Sequence, residues 1–473
     1  MKYFSLPFKS LLSVACFILP ASVYATNGMN LEGYGPEATA MGGASMAYDN
    51  GTAAMMNNPA TLGMMKDGNR ADIAVGVLGP NVTSSVAGAA DAESSANAFY
   101  MPAIGWAAKS NMLTYGFGVF AQGGMGTEYA ADSFMAANSG NVTRSEVGVG
   151  RVMIPVAYDV TKQLTIGGSI DFVWAGMDLK MAMSGGQMMD MMPTNLNPAA
   201  QQGGGTLTGT LVNGLGGMMG SGDITTLNWG YFDFSNDSAF YGEALGTGFS
   251  GKLGAVFKVN DKLSFGATYH AKTFMSDLTT SNATVTMNVD GSGGAGQTMP
   301  VSGKISVNDF EWPSMYGFGV AFKPINKLML AADVKLINWS GVMDSFKMKF
   351  TADESAGNTA MGFNGAEMDA ELYQKWDDQF VYSVGASYMI TNSFVVRAGL
   401  NRGDNPIPDK YLNALFPAVE HNHATLGAGY MINETSTINL SMTYAPEFKP
   451  TAGSGVSTGM SQMNGQLMYS LLY

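Results

Sequence analysis

Along most of this chain, apolar side chains recur at every second position and not at the three-to-four spacing of a helix. In "LTIGGSIDFVW", Leu164, Ile166, Ile170, Phe172 and Trp174 share one face, while Thr165, Ser169 and Asp171 share the other. "SMYGFGVAFK" repeats the pattern with Tyr316, Phe318, Val320 and Phe322, "YSVGASYMI" with Tyr382, Val384, Ala386, Tyr388 and Ile390, and "TINLSMTY" with Ile438, Leu440, Met442 and Tyr444. Short polar turns punctuate these segments: "KSNM" at 109, "DVTKQ" at 159, "VNDK" at 259, "PINK" at 324, "ITNS" at 390 and "INETS" at 432. Each reads as a hairpin, and the connections between hairpins are much longer, the longest from about Ser184 to Gly246. With a first strand near Ala71 to Gly79 and a last strand ending at Tyr473, the pattern predicts an all-β fold, a transmembrane antiparallel barrel of about 14 strands.

A soluble sandwich also alternates, so the faces and the chain end decide between them. The face opposite the apolar one is polar and glycine-rich, unlike an ordinary wetted surface, which places the apolar face against lipid with Trp174, Tyr388 and Tyr444 near the interfaces. The chain ends on "NGQLMYSLLY", with Leu467, Tyr469, Leu471 and Tyr473 still alternating. A closed barrel needs this, because its last strand must pair with its first where no water can satisfy an open edge.

The first residues follow another rule. Lys2 and Lys9 precede an apolar run from Leu11 to Pro20, and "VYA" (Val23 to Ala25) supplies a cleavage site, so 1–25 reads as a secretory signal peptide. The only cysteine, Cys16, leaves with it, which excludes disulfides, thiolate metal sites and cysteine nucleophiles from the mature chain. Formal net charge is −13, or −15 without the two leader lysines, which argues against a nucleic-acid partner. Residues 26–70, rich in glycine, alanine, asparagine and methionine, have only short helical stretches around Glu37 to Met46 and Thr52 to Met56, and read as either a tail or a plug inside a barrel spanning 71–473.

The stretch "GYGPEATAMGGASMAYDNGTAAMMNNPATL", with Asn57, Asn58, Pro59 and Ala60, resembles the N-terminal hatch of the FadL/TodX family, the outer-membrane transporters for long-chain fatty acids and aromatic hydrocarbons. "GVFAQGGMGTEY" (118–129), "WPSMYGFGVAFKP" (312–324), "VRAGLNRGDNPIP" (396–408) and "FPAVEHNHATLGAGY" (416–430) extend the resemblance over the mature chain. It implies a hatch-plugged barrel in the bacterial outer membrane and passive uptake without cofactor or enzymatic step. The ligand would land on a groove among extracellular loops, enter a lumen pocket, and leave sideways after hatch rearrangement and a kink in the third strand. Its partners would be hydrophobic small molecules, outer-membrane lipid and lipopolysaccharide, with the protein acting as a monomer.

Spacing and alternation assign candidate residues to these steps. Loops 184–246 and 276–306 would form the groove, exposing Met188, Met189, Met191, Met192, Trp229, Tyr231, Phe232 and Phe234, side chains suited either to varied apolar ligands or to packing the loop on itself. Alternation turns Arg151, Lys335, Arg397 and Lys272 inward beside Asp171, His270 and Asp333, where they either bind an acid headgroup or brace the wall. Gly116, Gly118, Gly123 and Gly124 make the third strand a candidate gate, or merely relieve crowding. Asn58 and Pro59 read as a turn inside the hatch. His421 and His423 lack a third metal ligand in sequence, no serine accompanies a histidine in a hydrolase pattern, and "GSGGAG" (291–296) reads as a loop tip. Long-chain fatty acid is the first expectation, aromatic hydrocarbon the alternative, and a structural or adhesive barrel the reading outside transport.

Overall fold

The computed structural model describes residues 27–192, 203–238 and 241–473. The proposed signal peptide therefore lies outside the described residues. The wall is one antiparallel ring: β1 (Gly68–Leu78), β2 (Phe99–Ser110), β3 (Leu113–Tyr129), β4 (Thr143–Asp159), β5 (Leu164–Ser184), β6 (Ala244–Asn260), β7 (Leu263–His270), β8 (Met315–Ile325), β9 (Leu328–Ile337), β10 (Gln379–Met389), β11 (Phe394–Gly403), β12 (Asn422–Met431), β13 (Ser436–Phe448) and β14 (Ser457–Leu472). Each strand pairs with the next, and β14 returns to β1 in the register Ile73↔Tyr469 and Val75↔Leu467. The alternating C-terminus thus closes the ring. Strands in the loops continue the pairing beyond the wall, so among the described residues the hydrogen-bonded sheet counts 23 strands.

All six polar turns fall where hairpins join successive ring strands, at one rim. The predicted lipid face is the exposed one: Ile166, Ile170, Phe172, Tyr316, Phe318, Tyr382, Val384, Leu440 and Tyr444 point outward, while Thr165 and Asp171 are buried. Ile170, 71% exposed beside Asp171 at 0%, shows the inversion of a soluble core most sharply.

Inside the ring lie residues 27–67, with α1 (Pro36–Ala40), α2 (Ala54–Asn57) and 3₁₀ turns at Gly51–Ala53 and Pro59–Met64. The helical stretch expected from Glu37 to Met46 is shorter, because Gly42 and Gly43 take positive φ and turn the chain back. The hatch lies directly on the wall. A Cβ at Gly105 would overlap Thr52, at Gly254 Asn58, at Gly266 the Met46 carbonyl, at Gly385 Met41, and at Gly399 the Gly42 amide. Inward glycines are therefore seats for the hatch.

At the long-loop rim the connections form a second layer. Segments 224–234, 278–291, 294–308, 345–352, 367–373 and 205–208 pair in that order, anchored to the end of β5. The second of the two groove loops runs over 271–314, wider than the expected 276–306, because β7 stops at His270 and β8 starts at Met315. "GSGGAG" is the tip of the hairpin between 278–291 and 294–308. The loop sheet encloses an apolar core that includes Met188, Leu211, Phe232, Phe234, Met287, Phe350 and Phe363 and runs on to Met29 and Leu31 of the hatch.

Candidate functional site

The site is the space between the start of the hatch and the wall beneath the loop layer. Asn27, Asn30, Leu31 and Tyr34 face Gln122, Arg151, His270, Trp312 and Lys335 around a cavity of about 20 Å³. That holds about one water and no substrate, so any passage needs the hatch to move.

The cations come from period-two alternation and are all engaged. Arg151 donates to Asp171 Oδ2 at 2.9 Å and to Gln122, while Lys252 reaches the same aspartate oxygen at 2.6 Å. Ser169 Oγ donates to the other Asp171 oxygen at 2.6 Å. One buried carboxylate thus serves two buried cations, a geometry that holds only while the carboxylate is present. Lys335 donates to the Glu32 and Gly43 carbonyls at 2.9 and 3.0 Å. Arg397 donates to Glu37 at 2.7 Å and to Asn439 at 3.0 Å. Asp333 accepts from the Ser45 and Met46 amides at 2.6 and 3.1 Å, and Asp72 from the Thr52 amide at 2.7 Å. Lys335, Arg397, Asp333 and Asp72 are therefore clamps between hatch and wall. Lys272 differs from its expected place: it follows the end of β7, at the loop rim, and pairs with Glu311. The alternation that turned it inward does not extend past His270.

The turn reading of Asn58 and Pro59 holds, with an added tie. Asn58 Oδ1 caps the 3₁₀ turn by accepting from the Ala60 amide at 3.1 Å, and its Nδ2 donates to the Met46 carbonyl at 2.8 Å. Asn57 Nδ2 donates to the Tyr34 carbonyl at 2.9 Å, and its main-chain oxygen sits 2.9 Å from His270 Nε2. Pro59 and Ala60 lie over Gly167.

In the third strand a bulge falls between Ala121 and Gly123. It expels Gln122 from the ladder toward Arg151 and Tyr34, whose hydroxyl donates to the Gln122 carbonyl at 2.6 Å. Gly124 N donates to Met29 of the hatch at 3.2 Å, and a Cβ at Gly123 would overlap the same carbonyl. Gly116 and Gly118, lower down, make room for Met55. Pairing between β2 and β3 stops at Ala103↔Phe120, so above this point a seam opens in the wall, lined by Tyr34, Met101, Ile104, Phe120 and Ala121 around a cavity of about 40 Å³.

The loop residues correct an expectation. Met188, Met191, Met192, Tyr231, Phe232 and Phe234 are buried and Met189 and Trp229 half-buried, so they pack the loop layer and do not present an open groove. Between that layer and the cavity stand Trp312, Trp339 and Trp376, each at most 2% exposed, edge to face at centroid distances of 5.8 and 5.2 Å. Trp312 Nε1 donates to Asn30 Oδ1 at 2.9 Å, and Trp339 covers Gly28. The alternation rule places Lys252 inward as surely as Arg151, since Leu253 and Phe257 face lipid; nothing local in sequence unites Trp312 of loop 271–314 with Trp339 and Trp376 from the two ends of loop 338–378. His421 stacks on Phe448, while His423 bonds Asn401 at 3.0 Å, so the pair does not converge.

Residues 12–461 match the family model described as outer membrane protein transport protein (OMPP1/FadL/TodX). The chain belongs to this family. It is similar to the Pseudomonas putida toluene transporter TodX (28% identity, 94% of this chain and 99% of that one, TM-score 0.78). Likeness to the Ralstonia pickettii toluene transporter TbuX is comparable (28%, 94% and 99%, TM-score 0.73). A Pseudomonas aeruginosa FadL homologue shares the fold at 13% identity, over 94% and 99% of the chains, with TM-score 0.67. A Chlorobium limicola uncharacterized protein, described as in the phosphoenolpyruvate carboxykinase gene 5′ region, is 61% identical over 56 residues, 12% of this chain and 27% of that protein. As a family member the protein is an outer-membrane β-barrel transporter of hydrophobic compounds and not an enzyme. The short-turn rim is periplasmic and the loop layer extracellular.

Proposed function

We propose that the compounds carried are small neutral aromatic hydrocarbons ahead of long-chain fatty acids, which revises the first expectation from sequence. The observation that carries this reading is the tryptophan array over the cavity: edge-to-face rings offer an aromatic guest the same contacts they offer each other. The toluene transporters among its relatives favour the same class. The lumen cations support it, since Arg151, Lys335 and Arg397 each hold a protein partner that an acid would have to displace. In this scheme the ligand crosses the loop layer, displaces the hatch start at Met29 to Tyr34, and leaves through the seam between β2 and β3.

One observation favours the acid. Arg151 and Lys252 share a single carboxylate, which leaves a positive charge in excess beside the cavity. Uptake of labelled toluene and labelled oleate, by cells lacking their own transporters for either, separates the readings. Saturable toluene uptake that falls in Trp339→Ala is expected. Saturable oleate uptake lost in Arg151→Gln, with toluene uptake unchanged by the protein, would overturn the proposal in favour of fatty acids.

A further inference from the structure

The periplasmic rim carries charge of the opposite sign to the chain as a whole, whose net charge is −13. Three neighbouring hairpins, joining β4 to β5, β6 to β7 and β8 to β9, bring Lys162, Lys258, Lys262, Lys323 and Lys327 into one arc. Main-chain bonds tie the turns together: Lys258 N donates to the Gln163 carbonyl at 2.8 Å, and Lys323 N to the Lys262 carbonyl at 2.7 Å. Four of these side chains are exposed and Lys258 is half-buried. Among the described residues, none of the five has an ion pair or a side-chain hydrogen bond.

The nearby acids are mostly taken. Asp159 is held by Lys109 at 2.8 Å and Asp49, which also feels Lys323, by Arg70 at 2.6 Å, leaving Asp261 within the arc. The hairpins at 390–393 and 432–435 have no lysine and add Glu434, so the basic character is confined to one side of the rim. Phe257, Val259, Phe322 and Ile325, all facing lipid, flank the lysines and set them at the level of the membrane surface. Like charges crowded on adjacent turns repel unless anions from outside are shared among them.

We propose that this arc binds anionic phospholipid headgroups of the periplasmic leaflet. Lys162, Lys262 and Lys327, exposed at the turn tips, reach the headgroup layer directly, while Lys258 and Lys323, on the inward parity of their strands, add to the positive field of the arc. Each lysine near an anionic surface is worth about a fivefold gain in occupancy, so the arc acts together. The inference is independent of which hydrophobic compound is carried.

The test uses the full chain in nanodiscs of phosphatidylcholine doped with phosphatidylglycerol, with native mass spectrometry of the lipids retained on release. Wild type should hold phosphatidylglycerol at least about tenfold above its bulk fraction, and lose this in high salt. The variant K162Q/K258Q/K262Q/K323Q/K327Q should show no enrichment, while K304Q/K347Q/K349Q, on the extracellular side, keeps it. Circular dichroism and the heat-dependent gel shift of a closed barrel check folding, and a three-site variant of the turns (K162Q/K262Q/K327Q) serves if the fivefold one fails to insert. Equal retention of both lipids by wild type, or unchanged enrichment in the lysine variants, would overturn the proposal. Capture of an acidic periplasmic protein through these lysines, with no lipid preference, would do the same.

Discussion

The hatch and the extracellular loop layer both fill space inside a sheet, yet they are held by different physics. The hatch is fixed by directional contacts: amides on Asp333 and Asp72, carbonyls on Lys335, an ion pair on Arg397, and backbone laid on wall glycines. The loop layer is held by apolar burial of side chains such as Met188, Phe232 and Phe350, each worth about 1.5–3 kcal/mol and indifferent to direction. The hatch buries apolar side chains too, Met41, Met55, Met56 and Leu62 among them, but its polar clamps allow it one seated position. A methionine-rich layer can repack around whatever crosses it.

That contrast sets an order of sensitivity. The largest effect should come from Asp171→Ala, which strands Arg151 and Lys252 without a counter-charge in the buried lumen. A loss of about 3–5 kcal/mol is expected, read as a lower midpoint in urea unfolding of the barrel from liposomes. Gly399→Val should follow, costing roughly 1–3 kcal/mol by pushing Gly42 off the wall. Ion leakage in planar bilayers would report the unseated hatch, and a silent, fully stable variant would refute the seat argument. In the loop layer, Met188→Leu keeps volume and should cost less than about 1.5 kcal/mol with uptake preserved, although Met188 is fully buried. A penalty as large as that of Asp171→Ala would erase the distinction between the two regions.

The smallest effect concerns loop 404–421, which crosses the mouth from β11 and docks on the far wall, where Tyr129 donates to the Ala414 carbonyl at 2.9 Å. Burial first, and Glu447 second, push the Glu420 carboxyl up to about 8. Docked, the loop holds this proton more tightly than free, so docking weakens as pH rises from the ordinary carboxylate value toward 8 and is level beyond it. His421, held low by burial, acts in the opposite sense as pH falls through its ordinary range. Relative to a free-thiol standard, which corrects for the thiolate fraction, thiol labelling of an Ala414→Cys variant should quicken between pH 5 and about 8, and Glu420→Gln should remove that excess.

Sequence and structure meet differently along the chain. Alternation gave the direction of Arg151, Lys335 and Arg397 correctly because a strand's period is a local property. It failed at Lys272, two residues beyond the end of β7, and says nothing of depth or partners. Glycine in the third strand was legible as room for a bulge, but Gly123 is also where Met29 docks, a contact between residues far apart in sequence. The loop methionines and aromatics were legible as apolar and not as buried, since burial there depends on pairing among three separate loops.

By itself the sequence determined the wall: period two, polar turns at one rim, an apolar face for lipid and a terminal strand to close the ring. These follow from local backbone geometry and from the absence of water in a bilayer core. Only the tertiary structure decided what each inward residue holds. Whether a buried cation is free for a ligand depends on where a folded plug places its carbonyls and carboxylates, and those come from residues as distant as Glu37 and Arg397.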